Sequence, residues 1–113
     1  MKAVRLREYG GQLEFSDALM PTIARDGILV KIKSTAVNHL DLVKASGTAR
    51  QILPIGLPWI PGHEFSGVVE QIGSDVAAYA PGDVVFAANE TGGTYARLAN
   101  VSPASRSSSL RGM

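Results

Sequence analysis

A chain of 113 residues has the size of one compact domain, and 45% hydrophobic against 19% charged residues suits a globular protein with a buried core, which excludes wholesale disorder. Eleven Lys and Arg against ten Asp and Glu give a net charge of +1 with no long run of either sign, so nucleic acid is not an expected partner. The absence of cysteine removes disulfides, thiolate zinc sites and a cysteine nucleophile together. No segment approaches the roughly 20 apolar residues of a membrane span, and the alternating amino terminus lacks a signal-peptide pattern, so no membrane contact and a cytoplasmic location are expected.

Residues 2–6 and 13–18 alternate apolar and polar side chains around Tyr9-Gly10-Gly11, whose glycines can supply the positive φ of a tight reversal, and predict a hairpin. Residues 27–37 predict a half-buried strand, with Val30 and Ile32 on one face and Lys31 and Lys33 on the other. At Asn38 the pattern changes. Asn38 can cap a helix, Asp41 falls in its first turn, and Leu40, Val43 and Lys44 follow helical spacing until Gly47 ends it.

Pro54, Pro58 and Pro61 forbid a central strand or helix over 51–61, and predict an ordered apolar loop that includes Trp59. Residues 65–72, 83–88 and 94–101 are further strand candidates, separated by Gly73-Ser74-Asp75, Pro81-Gly82-Asp83 and Gly92-Gly93. About six short strands with one or two short helices and no βαβ alternation predict a mainly β, antiparallel barrel. After Val101 the serines at 102, 105 and 107–109, with Arg106 and Arg111, leave no hydrophobic periodicity, and residues 102–113 read as a tail or linker.

The informative landmarks are Gly62-His63-Glu64-Phe65-Ser66-Gly67, then Gly73-Ser74-Asp75-Val76, then Pro81-Gly82-Asp83-Val84-Val85. In this order they resemble the GroES-like amino-terminal domain of the medium-chain dehydrogenase and reductase superfamily. The opening Met1-Lys2-Ala3-Val4, the strand from Gly27 and the late Gly92-Gly93-Thr94-Tyr95-Ala96 add to the likeness, which covers residues 1–101.

The branch turns on Asn38. Zinc-dependent members of the superfamily place a cysteine ligand where Asn38 stands, their histidine ligand matches His63, and Asp41 and Glu64 match carboxylates that support the metal or its histidine, with Glu64 buried by analogy. A carboxamide is a poor replacement for a thiolate on zinc, so no metal is expected. Asn38 is instead what the zinc-independent NADPH:quinone oxidoreductases, the zeta-crystallin-like branch, commonly carry. Val43 departs from this pattern, standing where some of them have an active-site tyrosine.

The resemblance implies hydride transfer from NADPH to a quinone or enone, with Asn38, Asp41, His63 and Glu64 as catalytic candidates. Asn38 could hold a carbonyl of the substrate or of the nicotinamide, and Asp41 could fix the His63 tautomer or simply favour the helix dipole. His39 is either a substrate contact or a solvated helix residue, and Trp59 either walls a substrate pocket or covers the end of the barrel.

No Gly-x-Gly-x-x-Gly occurs in the sequence, so its glycines read as turns. Members of the superfamily carry a Rossmann domain after this one, and the chain by itself is expected to be inactive. Two other readings stay open: a GroES-like module that binds a partner or forms a homo-oligomer through the exposed interdomain face, and a fragment of a zinc-dependent alcohol dehydrogenase.

Overall fold

The computed structural model describes residues 1–89 and 91–101, and the backbone of 111 and 112. Strands β1 (Lys2–Leu6) and β2 (Leu13–Asp17) pair antiparallel as the Tyr9-Gly10-Gly11 reversal predicts, with Val4 opposite Phe15. Strand β3 (Ile28–Thr35) follows, then helix α1 (His39–Ser46), β4 (Glu64–Ile72), β5 (Val84–Ala88), β6 (Leu98–Val101) and β7 (Arg111–Gly112).

The second sheet has the order β6-β3-β4-β5-β7, and every pairing in it is antiparallel. Two isolated bridges, Ala3 to Ala96 and Leu6 to Trp59, tie β1 to segments beyond the first sheet. The mainly β, antiparallel architecture is the one expected from the sequence.

Strand alternation places the core. Phe65, Gly67 and Val69 of β4 point inward, as do Val85 and Ala87 of β5, and they meet Ile28 and Val30 of β3 and Val101 of β6. Gly67 sits where a Cβ would lie 2.3 Å from the Lys31 carbonyl oxygen, so β3 and β4 can approach only over a residue without a side chain.

Two expectations need correction. The strand expected over 94–101 begins only at Leu98, because the 91–95 segment spends its amides on the chain before β4: Tyr95 N–H donates to the Pro61 carbonyl at 2.9 Å. Arg111 and Gly112, expected in a tail, form a strand against Phe86 and Val85 of β5. The rest of that tail, 102–110 and 113, lies outside the described residues. On helix α1, Leu42 is 57% exposed, while Asp41 and Lys44 are buried. Among the described residues no helix is long and apolar enough to cross a membrane.

Candidate functional site

Asp41 and His63 reach each other from opposite sides of the proline-rich loop. The α1 N-terminus positions Asp41: the Asn38 N–H donates to Asp41 Oδ2 at 2.9 Å, and the Asp41 N–H returns to the Asn38 carbonyl at 3.0 Å. His63 is placed by Gly62, whose φ of +108° turns the chain into β4, and by the Asn89 N–H, which donates to the His63 carbonyl at 2.6 Å.

Four donors converge on the Asp41 carboxylate. Oδ1 accepts from the Gly62 N–H at 2.8 Å and from His63 Nδ1 at 2.5 Å; Oδ2 accepts from Asn38 and from the Tyr95 hydroxyl at 3.2 Å. These four bonds fill the acceptor capacity of the group, which is how a carboxylate only 3% exposed is accommodated. An ionised carboxylate has no proton to give, so we assign the hydrogen of His63 to Nδ1 and leave Nε2 as an acceptor.

The Nε2 partner is Lys44, whose Nζ lies 3.0 Å away. Asp41, His63 and Lys44 thus form one buried, hydrogen-bonded row. Tyr95 flanks it on the carboxylate side, and there burial, followed by the Asp41 charge and its hydrogen bond, pushes the phenol pKa up to about 12. The Trp59 ring stands 5.9 Å from the His63 ring, with the planes inclined at 53°.

Two clefts flank this row. One, of about 550 Å³, is lined by Lys44 and Trp59 together with Leu40, Leu53 and Ile55. The other, of about 690 Å³, is an open apolar groove that includes Tyr95, Ile32, Phe15 and Val37.

The sequence candidates divide accordingly. Asn38, Asp41 and His63 come together through Asp41, which does bond the His63 ring. Trp59 is buried, donates its indole N–H to the Thr91 carbonyl at 3.1 Å and also lines the first cleft. His39 is exposed at the start of α1.

Glu64, expected among the buried carboxylates, is exposed. Strand alternation gives the inward position to Phe65, and Glu64 joins the structure through its carbonyl, which accepts from Thr35 and from the Ala36 N–H. The sequence reading missed Lys44 and Tyr95 as members of the site. The spacing of Asp41 and Lys44 on one helix face was the available signal for Lys44; nothing local pointed to Tyr95, which arrives from 54 residues away.

Among the described residues no group of three His, Cys, Asp or Glu could hold a metal ion. Nor do the described residues form a cradle for a dinucleotide's phosphates: their strand pairings are antiparallel, and α1 carries an acidic residue, Asp41, in its first turn.

Residues 24–108 match the alcohol dehydrogenase GroES-like domain family. Quinone oxidoreductase of Rattus norvegicus is 33% identical over 103 residues, covering 88% of this chain and 30% of the relative. The human quinone oxidoreductase is 35% identical over 103 residues, with the same coverage of 88% and 30%.

Among solved structures, a quinone oxidoreductase of Pseudomonas syringae pv. Tomato superposes with a TM-score of 0.87 at 26% identity, covering 99% of this chain and 33% of that one. The Escherichia coli quinone oxidoreductase complexed with NADPH gives 0.82 at 25% identity, over 97% of this chain and 33% of that one. The chain spans about a third of the length of these relatives. It belongs to the alcohol dehydrogenase GroES-like domain family of the medium-chain dehydrogenase and reductase superfamily, within which it groups with the quinone oxidoreductases.

Proposed function

We propose that this chain is the catalytic domain of an NAD(P)H-dependent oxidoreductase, acting in the cytoplasm, whose acceptor is a quinone or conjugated carbonyl. The observation that carries the reading is the buried row of Asp41, His63 and Lys44, whose Lys44 end lines a largely apolar cleft, in a domain whose relatives are quinone oxidoreductases. The cofactor would supply hydride, and its phosphates would be held by polypeptide other than the residues described.

What this chain contributes is orientation and polarity. Asn38, beside Asp41 at the start of α1, is the candidate for holding a carbonyl of the acceptor or of the nicotinamide. Asp41 holds the His63 tautomer, and Trp59 shields that pair from water. A zinc-dependent alcohol dehydrogenase fragment is less well supported, because the His63 nitrogen that a metal would need already faces the Lys44 ammonium.

The reading is tested by joining this chain to the nucleotide-binding portion of the rat quinone oxidoreductase and following NADPH oxidation with simple quinones. The expected result is turnover by the chimera and none by the chain alone. A folded chimera that binds NADPH without reducing any quinone or enone would overturn the reading, and robust turnover by the chain alone would overturn its dependence on a second domain.

A second reading, a module that self-associates, is supported by the apolar groove, where Phe15 and Val37 are each 74% exposed. Sedimentation separates the two: a concentration-dependent dimer lost in Phe15→Ser favours the module, and a monomer at all concentrations removes it.

A further inference from the structure

Strand β2 is an open edge. It pairs only with β1, and the bonds around β1 fix which way each residue of β2 points. Met1 and Ala18 exchange both backbone bonds at 2.8 Å, one residue beyond the Lys2–Asp17 pair, so hydrogen bonding alternates from there and Ser16 and Glu14 turn their amides toward β1. The far side of β1 agrees: Val4 donates to the Tyr95 carbonyl and Leu6 to the Trp59 carbonyl, so neither spends its N–H on Phe15 or Leu13 opposite it. Leu13, Phe15 and Asp17 therefore point their N–H and C=O groups outward, where no described residue bonds them.

Exposed edges in proteins are guarded by proline, a bulge or unanswered charge. Strand β2 has no proline, and its register with β1 runs without a shift. Its two acids are already answered, Asp17 by Lys2 at 2.9 Å and Glu14 by Arg7 at 2.7 Å. At its centre stands Phe15, 74% exposed, with the Lys2 ammonium 5.9 Å from the ring.

We propose that β2 pairs with itself: two copies of the chain join antiparallel through this edge, about a two-fold axis at Phe15, into one continuous sheet β1-β2-β2-β1. The outward positions make the edge its own complement. With Phe15 opposite Phe15, Leu13 of each copy falls opposite Asp17 of the other, so every outward N–H meets an outward C=O.

The charges are complementary in the same register. Glu14 falls opposite Ser16 of the second copy, whose hydroxyl accepts from Arg5 at 3.0 Å, and Arg5 is the hairpin cation that bonds no described carboxylate. Sliding the strands by one step in one direction sets Glu14 against Glu14, where like charges repel. A step in the other direction sets Phe15 against Asp17 and leaves Leu13 facing Leu19, beyond the end of the strand. The pairing rests on the self-association reading, to which it gives a surface and a register, and is independent of the oxidoreductase reading.

The test uses the 113-residue chain. Sedimentation from about 10 μM to about 1 mM should show a monomer passing into a dimer. Over the same series, amide hydrogen exchange read by NMR should slow about tenfold or more at Leu13, Phe15 and Asp17, while Glu14 and Ser16, already bonded to β1, should keep one rate. Phe15→Pro removes an outward N–H without touching a bond to β1, and should weaken the dimer about tenfold or more.

A monomer at every concentration overturns the pairing and the self-association reading together. A dimer whose Leu13, Phe15 and Asp17 amides exchange as fast as in the monomer overturns the pairing alone, and so does a folded Phe15→Pro that dimerises as tightly as the native chain. If Phe15→Pro does not fold, the exchange rates of the native chain decide.

Discussion

His63 is clamped at both ring nitrogens by residues of one helix: Asp41 at Nδ1, 2.5 Å away, and Lys44 at Nε2, 3.0 Å away. The two helix residues lie three apart, so a single turn of α1 spans the imidazole, and rotation of either side chain would break the row.

Asp41→Asn preserves the shape of the side chain and removes its charge. One oxygen can still accept from two donors, but an amide NH₂ cannot accept, so two of the four bonds now made by Asp41 are lost and buried donors are left facing a donor. A destabilisation of about 2–4 kcal/mol is expected, measured as a shift of the urea midpoint with unchanged slope. A change below about 0.5 kcal/mol would mean that the carboxylate is not the anchor that its four contacts describe.

Tyr95 gives the stability a dependence on high pH. Its pKa is raised from 10.0 to about 12 in the folded chain, so folding favours the protonated phenol. The sign follows: the contribution is fully present below the unfolded value near pH 10 and is lost as the pH rises through about 12. Tyr95 is only half-buried, and solvent reduces the size of this term without changing its sign. A spectrophotometric titration should show a phenol step near pH 12, and Tyr95→Phe should remove that step and flatten the fall in stability over the same window. If Tyr95→Phe leaves the high-pH step in place, Tyr95 does not donate to Asp41 in solution.

The sequence carried much of this fold because its strands obey a simple period. Lys31 and Lys33 alternate with Val30 and Ile32, so the faces of β3 could be read before any coordinates. Gly47 marks the helix end with a φ of +79°, as a glycine after a last periodic residue should. Long-range closures were not legible. The bridge from Leu6 to Trp59 and the bond from Tyr95 to Asp41 depend on loops whose course no local pattern encodes. Glu64 was misjudged because the resemblance spoke louder than the alternation, which already sent Phe65 inward and its neighbour out. Lys44 shares a helix face with Asp41, but only the packed structure shows that this face turns inward.

The same alternation predicts where truncation hurts. Val85 is fully buried in the cluster formed with Ile28, Val30 and Val69, and Val85→Ala should cost about 2 kcal/mol through lost burial and the cavity left behind. Phe15, 74% exposed on β2, should change stability by no more than about 0.5 kcal/mol when replaced by Ala, despite the larger volume removed. Chemical denaturation of the two variants side by side checks the ranking, and a reversed order would contradict the assignment of the core to the five-stranded sheet.

Gly62 and Gly82 separate backbone strain from steric exclusion. Both have positive φ, +108° and +95°, so alanine at either position forces a conformation that L side chains rarely adopt. At Gly82 a Cβ would meet nothing within 4 Å, and only the backbone term applies, on the order of 1 kcal/mol. At Gly62 a Cβ would stand 2.1 Å from Thr94 Oγ1 and 2.9 Å from the Tyr95 backbone nitrogen, so the 91–95 segment must move or the turn before His63 must open. Either response disturbs the Gly62 N–H bond to Asp41 and the seat of Tyr95, and Gly62→Ala should cost at least about 3 kcal/mol. The two variants, compared by urea unfolding and by the NMR signals of His63, should differ in kind as well as in size: Gly82→Ala should leave the His63 resonances in place, and Gly62→Ala should shift them. Equal costs with unshifted His63 signals in both would show that the close approach of Thr94 to Gly62 does not hold the Asp41, His63 and Lys44 row together.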